Sequence, residues 1–198
     1  MKTSAALGLL ALSLSRMTHA EPVTYRIDPN HTHPLFEVDH FGGLSTWRGL
    51  FKSTRGTITL DRQSGTGTFE VRIDTASIDF GHEVLNKVVL ASKIGDWNGL
   101  DADQYPSAVY SGTLAAFVDG APTAAHGELS LHGVTRPVPL TILTFKCIAD
   151  HPLLKREVCG ADALGRFNRA DFGVNAGLQY GFSQEVTVRI QVEAIRRD

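Results

Sequence analysis

The chain has 198 residues, with 19 Lys and Arg against 21 Asp and Glu, and a formal charge of −2. It contains no basic run that could follow a phosphate backbone, which excludes nucleic acid as a partner. No apolar stretch reaches the roughly 20 residues that a helix needs to cross a bilayer, so the protein is not expected to be membrane-spanning.

The first segment, MKTSAALGLLALSLSRMTHA, has a basic residue at Lys2, an apolar run from Ala5 to Leu14 and small residues at Thr18 and Ala20. This is the layout of a secretory signal peptide cut after Ala20. Removing residues 1–20 takes away Lys2 and Arg16, leaving 17 basic and 21 acidic residues, a charge of −4. Residues 21–198 then form one domain.

Most of the exported chain alternates with period two, the pattern of half-buried strands. In HTHPLFEVDHFGG (31–43), Phe36, Val38 and His40 share one face, and Leu35, Glu37, Asp39 and Phe41 the other. In WRGLFKSTRGTITL, Phe51 has one parity and Leu50, Ile58 and Leu60 the other, which predicts a β-bulge near Arg55-Gly56. DRQSGTG (61–67) is a turn, and FEVRID follows with Phe69, Val71 and Ile73 inward.

HEVLNKVVLASKIGDWNGL breaks the alternation. Leu85, Val88, Val89, Ser92 and Ile94 recur at helical spacing, which predicts a helix over about 82–94 ended by Gly95. Trp97 and Tyr105 beyond it are packing anchors, and Asp101 and Asp103 form a solvated face.

After the turn VDGAP (118–122), GELSLHG points Leu129 and Leu131 inward. HGVTRP (132–137) is another turn, and PVPLTIL adds Val138, Leu140 and Ile142. Cys147 and Cys159, the only cysteines, form an even pair in an exported chain and are expected to be a disulfide. In GRFNRADFGV, Arg169 shares the parity of Phe167, near an apolar face. A buried guanidinium needs a partner, and Asp171 is the obvious candidate. In EVTVRIQVEAI, Val186, Val188, Ile190 and Val192 share one face.

Many short strands without alternating long helices make an all-β fold, either a sandwich or a barrel. Closure into a barrel removes the exposed edges. An interior of about eight strands is wide enough for one small ligand.

Taken in order, HTHPLFEVDHFGG, WRGLFKSTRGTITLD, VRIDTASID, DADQYPSAVY, GELSLHGVTRPVPL and NRADFGV resemble the YceI-like family over about residues 24–195. The resemblance implies an antiparallel lipocalin-like β-barrel, with one short helix over an end or edge, exported to the periplasm. It further implies a polyisoprenoid or quinone-like lipid as ligand, no cofactor, and a homodimer as a common assembly. TFKCIADHPLLKREVCGAD resembles a cysteine-containing branch of the family, in support of a Cys147–Cys159 bond. LNKVVLAS (85–92) departs from the usual pattern, in which a charged stretch precedes a Leu.

On this basis Phe36, Val38, Phe69, Val71, Ile73, Leu129, Leu131, Leu140, Val186, Val188 and Ile190 are expected to line the interior. Leu85, Val89 and Trp97 would cover or line one end. His40 is open to three roles: a head-group contact, a metal ligand with His31 and His33, or a buried histidine satisfied by carbonyls or a carboxylate. Neither HExxH nor a Cys₂His₂ spacing supports the metal. Arg169 is a head-group candidate beside its pairing with Asp171.

An enzyme would need a nucleophile and base, paired carboxylates or a metal at an opening. GxSxG and the P-loop are absent, and the glycines of SGTGT lie in a hairpin turn. A lipid container is therefore expected rather than an enzyme. A metal-binding barrel, or a plugged barrel that docks a partner through its surface, is the alternative.

Overall fold

The computed structural model describes residues 21–198, and the expected leader at 1–20 lies outside the described residues. The strands in chain order are β1 (Val23–Ile27), β2 (Leu35–His40), β3 (Ser45–Phe51), β4 (Thr54–Asp61), β5 (Thr66–Asp74) and β6 (Ile78–Asp79). Helix α1 (Glu83–Leu90) follows, then β7 (Lys93–Ile94), β8 (Trp97–Asn98), β9 (Ser107–Val118) and β10 (Ala121–Leu131). The chain ends with β11 (Val134–Pro137), β12 (Leu140–Ile148), β13 (Val158–Asn168) and β14 (Glu185–Arg196). Among the described residues no helix is long and apolar enough to cross a membrane.

The main strands pair antiparallel in the order β1-β4-β5-β9-β10-β12-β13-β14, and β14 pairs back with β1, closing an eight-stranded barrel. β1 and β2 share one strand position: β14 pairs with β1 through residues 194–196 and with β2 through 186–189. β3 and β4 likewise follow one another beside them. Each of the eight barrel strands therefore has a partner on both sides over part of its length, although β12 pairs with β10 only at Leu140 and Thr141 and β3 with β6 only at Leu50 and Phe51.

Alternation explains the inward face. Val186 and Ala194 of β14 are buried, and Val188, Ile190 and Val192 share their parity. Parity breaks twice, the first break being visible in the sequence with its cause misplaced and the second not anticipated. The phase change after Phe51 comes from the step between β3 and β4 at Lys52-Ser53, and not from a bulge near Arg55-Gly56, where the β4–β5 register runs unbroken. The Lys52 N–H donates to Ser77 O at 3.0 Å, which holds the step in place. In β12 the register shifts between Ile142 and Thr144. Leu140 and Ile142 face inward before the shift, and Phe145 and Cys147 after it.

The helix is shorter than expected. His82 caps α1, its Nδ1 accepting from Leu85 N–H at 3.1 Å, and the helix ends at Leu90. The carbonyls of the last turn are then taken by the returning chain: Leu100 N–H donates to Val89 O at 2.8 Å and Ala102 N–H to Leu90 O at 3.0 Å. These bonds satisfy acceptors that a longer helix would have used internally. Gly99 permits the approach, since a Cβ there would collide with Ala91 O. Gly95 is no helix stop; at φ 63° it turns the small β7–β8 hairpin.

Candidate functional site

The barrel encloses a cavity of about 620 Å³. All the main strands contribute to its wall, which also includes Leu85, Val88 and Val89 of α1 and residues of the 173–184 loop. Inward residues such as Val71, Leu129, Val188 and Ile190 keep partial exposure because they face this space. Ordinary core packing would have buried them completely.

Three packed groups follow one another along the wall. Tyr25, Leu60, Cys159 and Ala194 pack at one end, with Phe145 beside them. Phe69, Ala125, Val138, Leu140, Ala163 and Phe172 form the middle. Phe36, Ile78, Leu100, Val174 and Val186 pack near α1, with Val89 and Leu90 against them. The exposed wall residues, Phe41, Val88, Gln179 and Tyr180, all lie at the α1 end, so the cavity reaches solvent there.

The opposite end is closed covalently and electrostatically. Cys147 and Cys159 stand opposite each other on β12 and β13 and are joined as a disulfide. Beside them the buried Glu157 carboxylate accepts from Tyr25 OH at 3.0 Å, Arg62 Nη2 at 3.1 Å and Arg196 Nη1 at 3.4 Å. Burial, helped by the hydrogen bond to Glu157, pushes the Tyr25 hydroxyl up to about 12.

Polar groups on the wall are few. Tyr110 OH donates to Val138 O at 2.8 Å, and burial raises its pKa. Thr54 Oγ1 is buried and has no hydrogen-bond partner.

Arg169 is 9 % exposed. Its turn is built by its neighbours: the Asn168 side chain caps it by accepting from Ala170 N–H, Phe172 packs in the core, and Gly173 ends it in a left-handed conformation. Asp171 is not its partner, contrary to the expectation from sequence. Arg169 Nε donates to Ser183 O and Nη1 to Val174 O, both at 3.1 Å. The guanidinium therefore fastens the 173–184 loop through two carbonyls, while Asp171 is exposed to solvent. Burial lowers the pKa of Arg169, and no carboxylate among the described residues neutralises it.

His40 stands on the wall near the mouth, with its ring 4.5 Å from Phe41, 5.0 Å from Phe182 and 5.4 Å from Trp47. Its Nδ1 lies 3.4 Å from Ser45 Oγ. His31 Nδ1 instead meets Asp28 Oδ2 at 2.8 Å, and this hydrogen bond raises the His31 pKa. His33 Nδ1 is buried without a partner. The three histidines therefore do not converge on one point. The one cluster of potential metal ligands among the described residues is Cys147, Glu157 and Cys159, whose sulfurs are bonded to each other.

Of the residues expected at the interior or its end, Phe36, Val38, His40, Phe69, Val71, Ile73, Leu85, Val89, Leu129, Leu131, Leu140, Arg169, Val186, Val188 and Ile190 all line the cavity. Trp97 does not. It pairs with Ile94 in the β7–β8 hairpin, and Ile94 contributes to the wall in its place. Sequence reasoning also missed Tyr110 and Leu114 of β9, although their shared parity with Ala108 was available in SAVYSGTL.

A model of the YceI-like domain matches residues 25–194. Protein YceI of Shigella flexneri is 31% identical over 178 residues, covering 87% of each chain. A UPF0312 protein of Vibrio parahaemolyticus is 27% identical over 200 residues and spans 100% of both. Among solved structures, Burkholderia cenocepacia BcnA superposes with a TM-score of 0.64 at 21% identity, covering 84% of this chain and 98% of its own. A polyisoprenoid binding domain from Saccharophagus degradans, implicated in plant cell wall breakdown, gives 0.59 at 16% identity, with 88% and 99% covered.

Proposed function

The chain belongs to the YceI-like domain family, and from that premise we propose that it is an exported binding protein that holds a polyisoprenoid or similar amphiphilic lipid in its barrel. The observation that carries this function is the apolar cavity of about 620 Å³, open at the α1 end and closed by the disulfide at the other. Its size falls within the range of about 300–1,000 Å³ common to small-molecule sites. The polyisoprenoid binding domain among its structural relatives supports the same ligand class.

The energetics suit a prenyl tail. Each buried CH₂ contributes about 0.8 kcal/mol, so one five-carbon unit contributes on the order of 4 kcal/mol before ordering costs. A few units give useful affinity without polar help, in keeping with a wall that has few polar groups. Arg169 and His40, at the wall near the 173–184 loop and the mouth, are the groups we assign to a polar head. The guanidinium is buried with two carbonyl acceptors but no countercharge among the described residues, and an acidic head group would supply that charge. The leader expected at residues 1–20 and the disulfide fit a periplasmic location.

Native mass spectrometry of the chain exported to a bacterial periplasm, with organic extraction of what it releases, tests this function. The expected result is a discrete added mass that extracts as a prenyl lipid, together with reduced retention in a folded Val71→Trp variant. A bare mass, unchanged after incubation with polyprenyl phosphates and quinones, would overturn it.

A further inference from the structure

At the mouth, apolar side chains point outward as well as inward. Phe41 is 49% exposed, Leu44 76%, Val84 on α1 65% and Tyr180 59%. The rings of Phe41, Tyr180 and Phe182 form one cluster, with centroids 5.0–6.3 Å apart. His40 and Trp47 continue it toward His82, the cap of α1, whose ring lies 6.1 Å from Trp47.

The backbone presents these rings deliberately. Phe41, Gly42 and Gly43 stand in succession at φ of 53°, 64° and 96°. A bulky residue rarely adopts the left-handed region, and it persists there only where its surroundings hold it. Asp39 provides the hold, its carboxylate accepting from Gly42 N–H at 3.0 Å and Gly43 N–H at 2.6 Å. Tyr180 in turn is carried on a short turn between Gly177 and Gly181, both left-handed. Strain is thus retained in a loop that leaves its largest side chain half in water, which does nothing for the core.

Charge separates this rim from the rest of the surface. Neither HFGGLSTW (40–47) nor GVNAGLQYGFSQ (173–184) contains an Asp, Glu, Lys or Arg. The two aromatic loops of the rim thus carry no formal charge, with charges adjoining them at Asp39 beneath the first loop and at Glu83 and Lys87 beside Val84 on α1, and Phe41 and Tyr180 also line the cavity.

We propose that this rim docks on the neutral interfacial layer of a lipid bilayer with the mouth facing it, so that cargo passes between membrane and cavity without crossing water. The inference rests on the lipid-binding function above. Aromatic side chains with apolar bodies favour the headgroup level, and two loops without formal charge suit a zwitterionic surface. A second protein or a second copy seated here would stop the mouth. A bilayer is also the other environment in which a guest of such a cavity is stable. Each CH₂ of the guest that must pass through water slows release about fourfold.

The test uses Leu44→Ser/Val84→Ser, since both side chains are exposed and neither lines the cavity. The cargo-free chain is floated with phosphatidylcholine vesicles, and uptake of a soluble farnesyl fluorophore is measured separately without vesicles. The wild-type chain is expected to float, equally at low salt and at about 1 M salt, where charge interactions are screened. The double variant should lose about tenfold in vesicle-bound over free protein while its fluorophore uptake is unchanged. A wild-type chain that does not float, or a variant that floats equally, would sink the docking proposal. So would a concentration-dependent dimer that the same substitutions dissolve, since the rim would then be a self-interface. Loss of fluorophore uptake in the wild-type chain would instead count against the lipid-binding function, and flotation would still decide the docking.

Discussion

The two ends of the barrel are held by different physics. At the closed end a disulfide joins β12 to β13, and Glu157 gathers Tyr25, Arg62 and Arg196 around one buried carboxylate. At the mouth there is no covalent link. An eight-residue helix without a buried residue, a loop strained at Phe41 and an uncharged 173–184 loop surround the opening. Local stability varies across a structure, and segments that admit ligands come from its low end. The contrast teaches that this fold concentrates its stability where the cavity is shut and keeps its wall adjustable where a guest must enter.

The largest effects should therefore come from the closed end. Replacing both Cys147 and Cys159 by Ser removes the closure of a short loop, worth about 3 kcal/mol in the chain-entropy model. For a domain of this size that lowers Tm by on the order of 10 °C, and thermal unfolding followed by circular dichroism would measure it. Glu157→Gln comes next. It leaves two guanidinium groups, each about half exposed, without their countercharge and should cost about 2 kcal/mol, read as a shift in the urea midpoint. If either change left stability intact while altering the mouth, the contrast between the ends would fail.

Tyr25 sharpens the contrast at high pH. Its hydroxyl is held at about 12, above the ordinary 10, so the folded state keeps the proton longer than the unfolded chain. The stability tied to this group is fully present below pH 10 and is lost as pH rises toward 12. Tyr25→Phe should flatten the decline of stability over that window, with a smaller overall effect than Glu157→Gln. Stability equally steep in alkali in the variant would place the alkaline weak point elsewhere.

Much of the barrel was legible because a strand with one wet face writes its geometry into a period of two. Val186, Val188 and Ile190 follow this rule, as do Phe69, Val71 and Ile73. What escaped depends on long-range partners or on single-residue slips. The register shift at Leu143 reverses the parity of β12 but leaves no signature residue. Glu157 meets Tyr25, Arg62 and Arg196 across 132, 95 and 39 residues of chain, which no local pattern reports. The need of Arg169 for partners was legible, but carbonyl acceptors look alike at every position, so Asp171 was preferred wrongly. Gly95 signalled a turn, and only the bonds from residues 99–102 decide that it belongs to a hairpin rather than a helix end.

The smallest expected effect on global stability lies at the foot of α1. Asp79 Oδ1 accepts from Asn86 Nδ2 at 3.0 Å and Gly81 N–H at 2.8 Å, and Oδ2 meets Lys52 Nζ at 3.1 Å. Asn86 Oδ1 in turn accepts from Phe80 N–H at 2.8 Å. The Asn86 hydrogen bond, followed by those from Gly81 and Lys52, holds the Asp79 carboxyl down at about 2. A depressed acid contributes stability above its ordinary value near 3.8, lost as pH falls toward 2. Acidification through this window should therefore lower the protection of the α1 amides, relative to their intrinsic exchange at each pH, before that of the barrel strands. Asn86→Ala should bring the same loosening at neutral pH, for less than about 1 kcal/mol of global stability, measured by hydrogen exchange at the amides of Asn86 to Leu90. Because Leu85 and Val89 form part of the cavity wall, the variant should also exchange a bound guest faster than the wild-type chain. Equal protection in α1 and in β13 at low pH would mean that the helix unfolds only with the barrel, and the mouth could not move independently of the closed end.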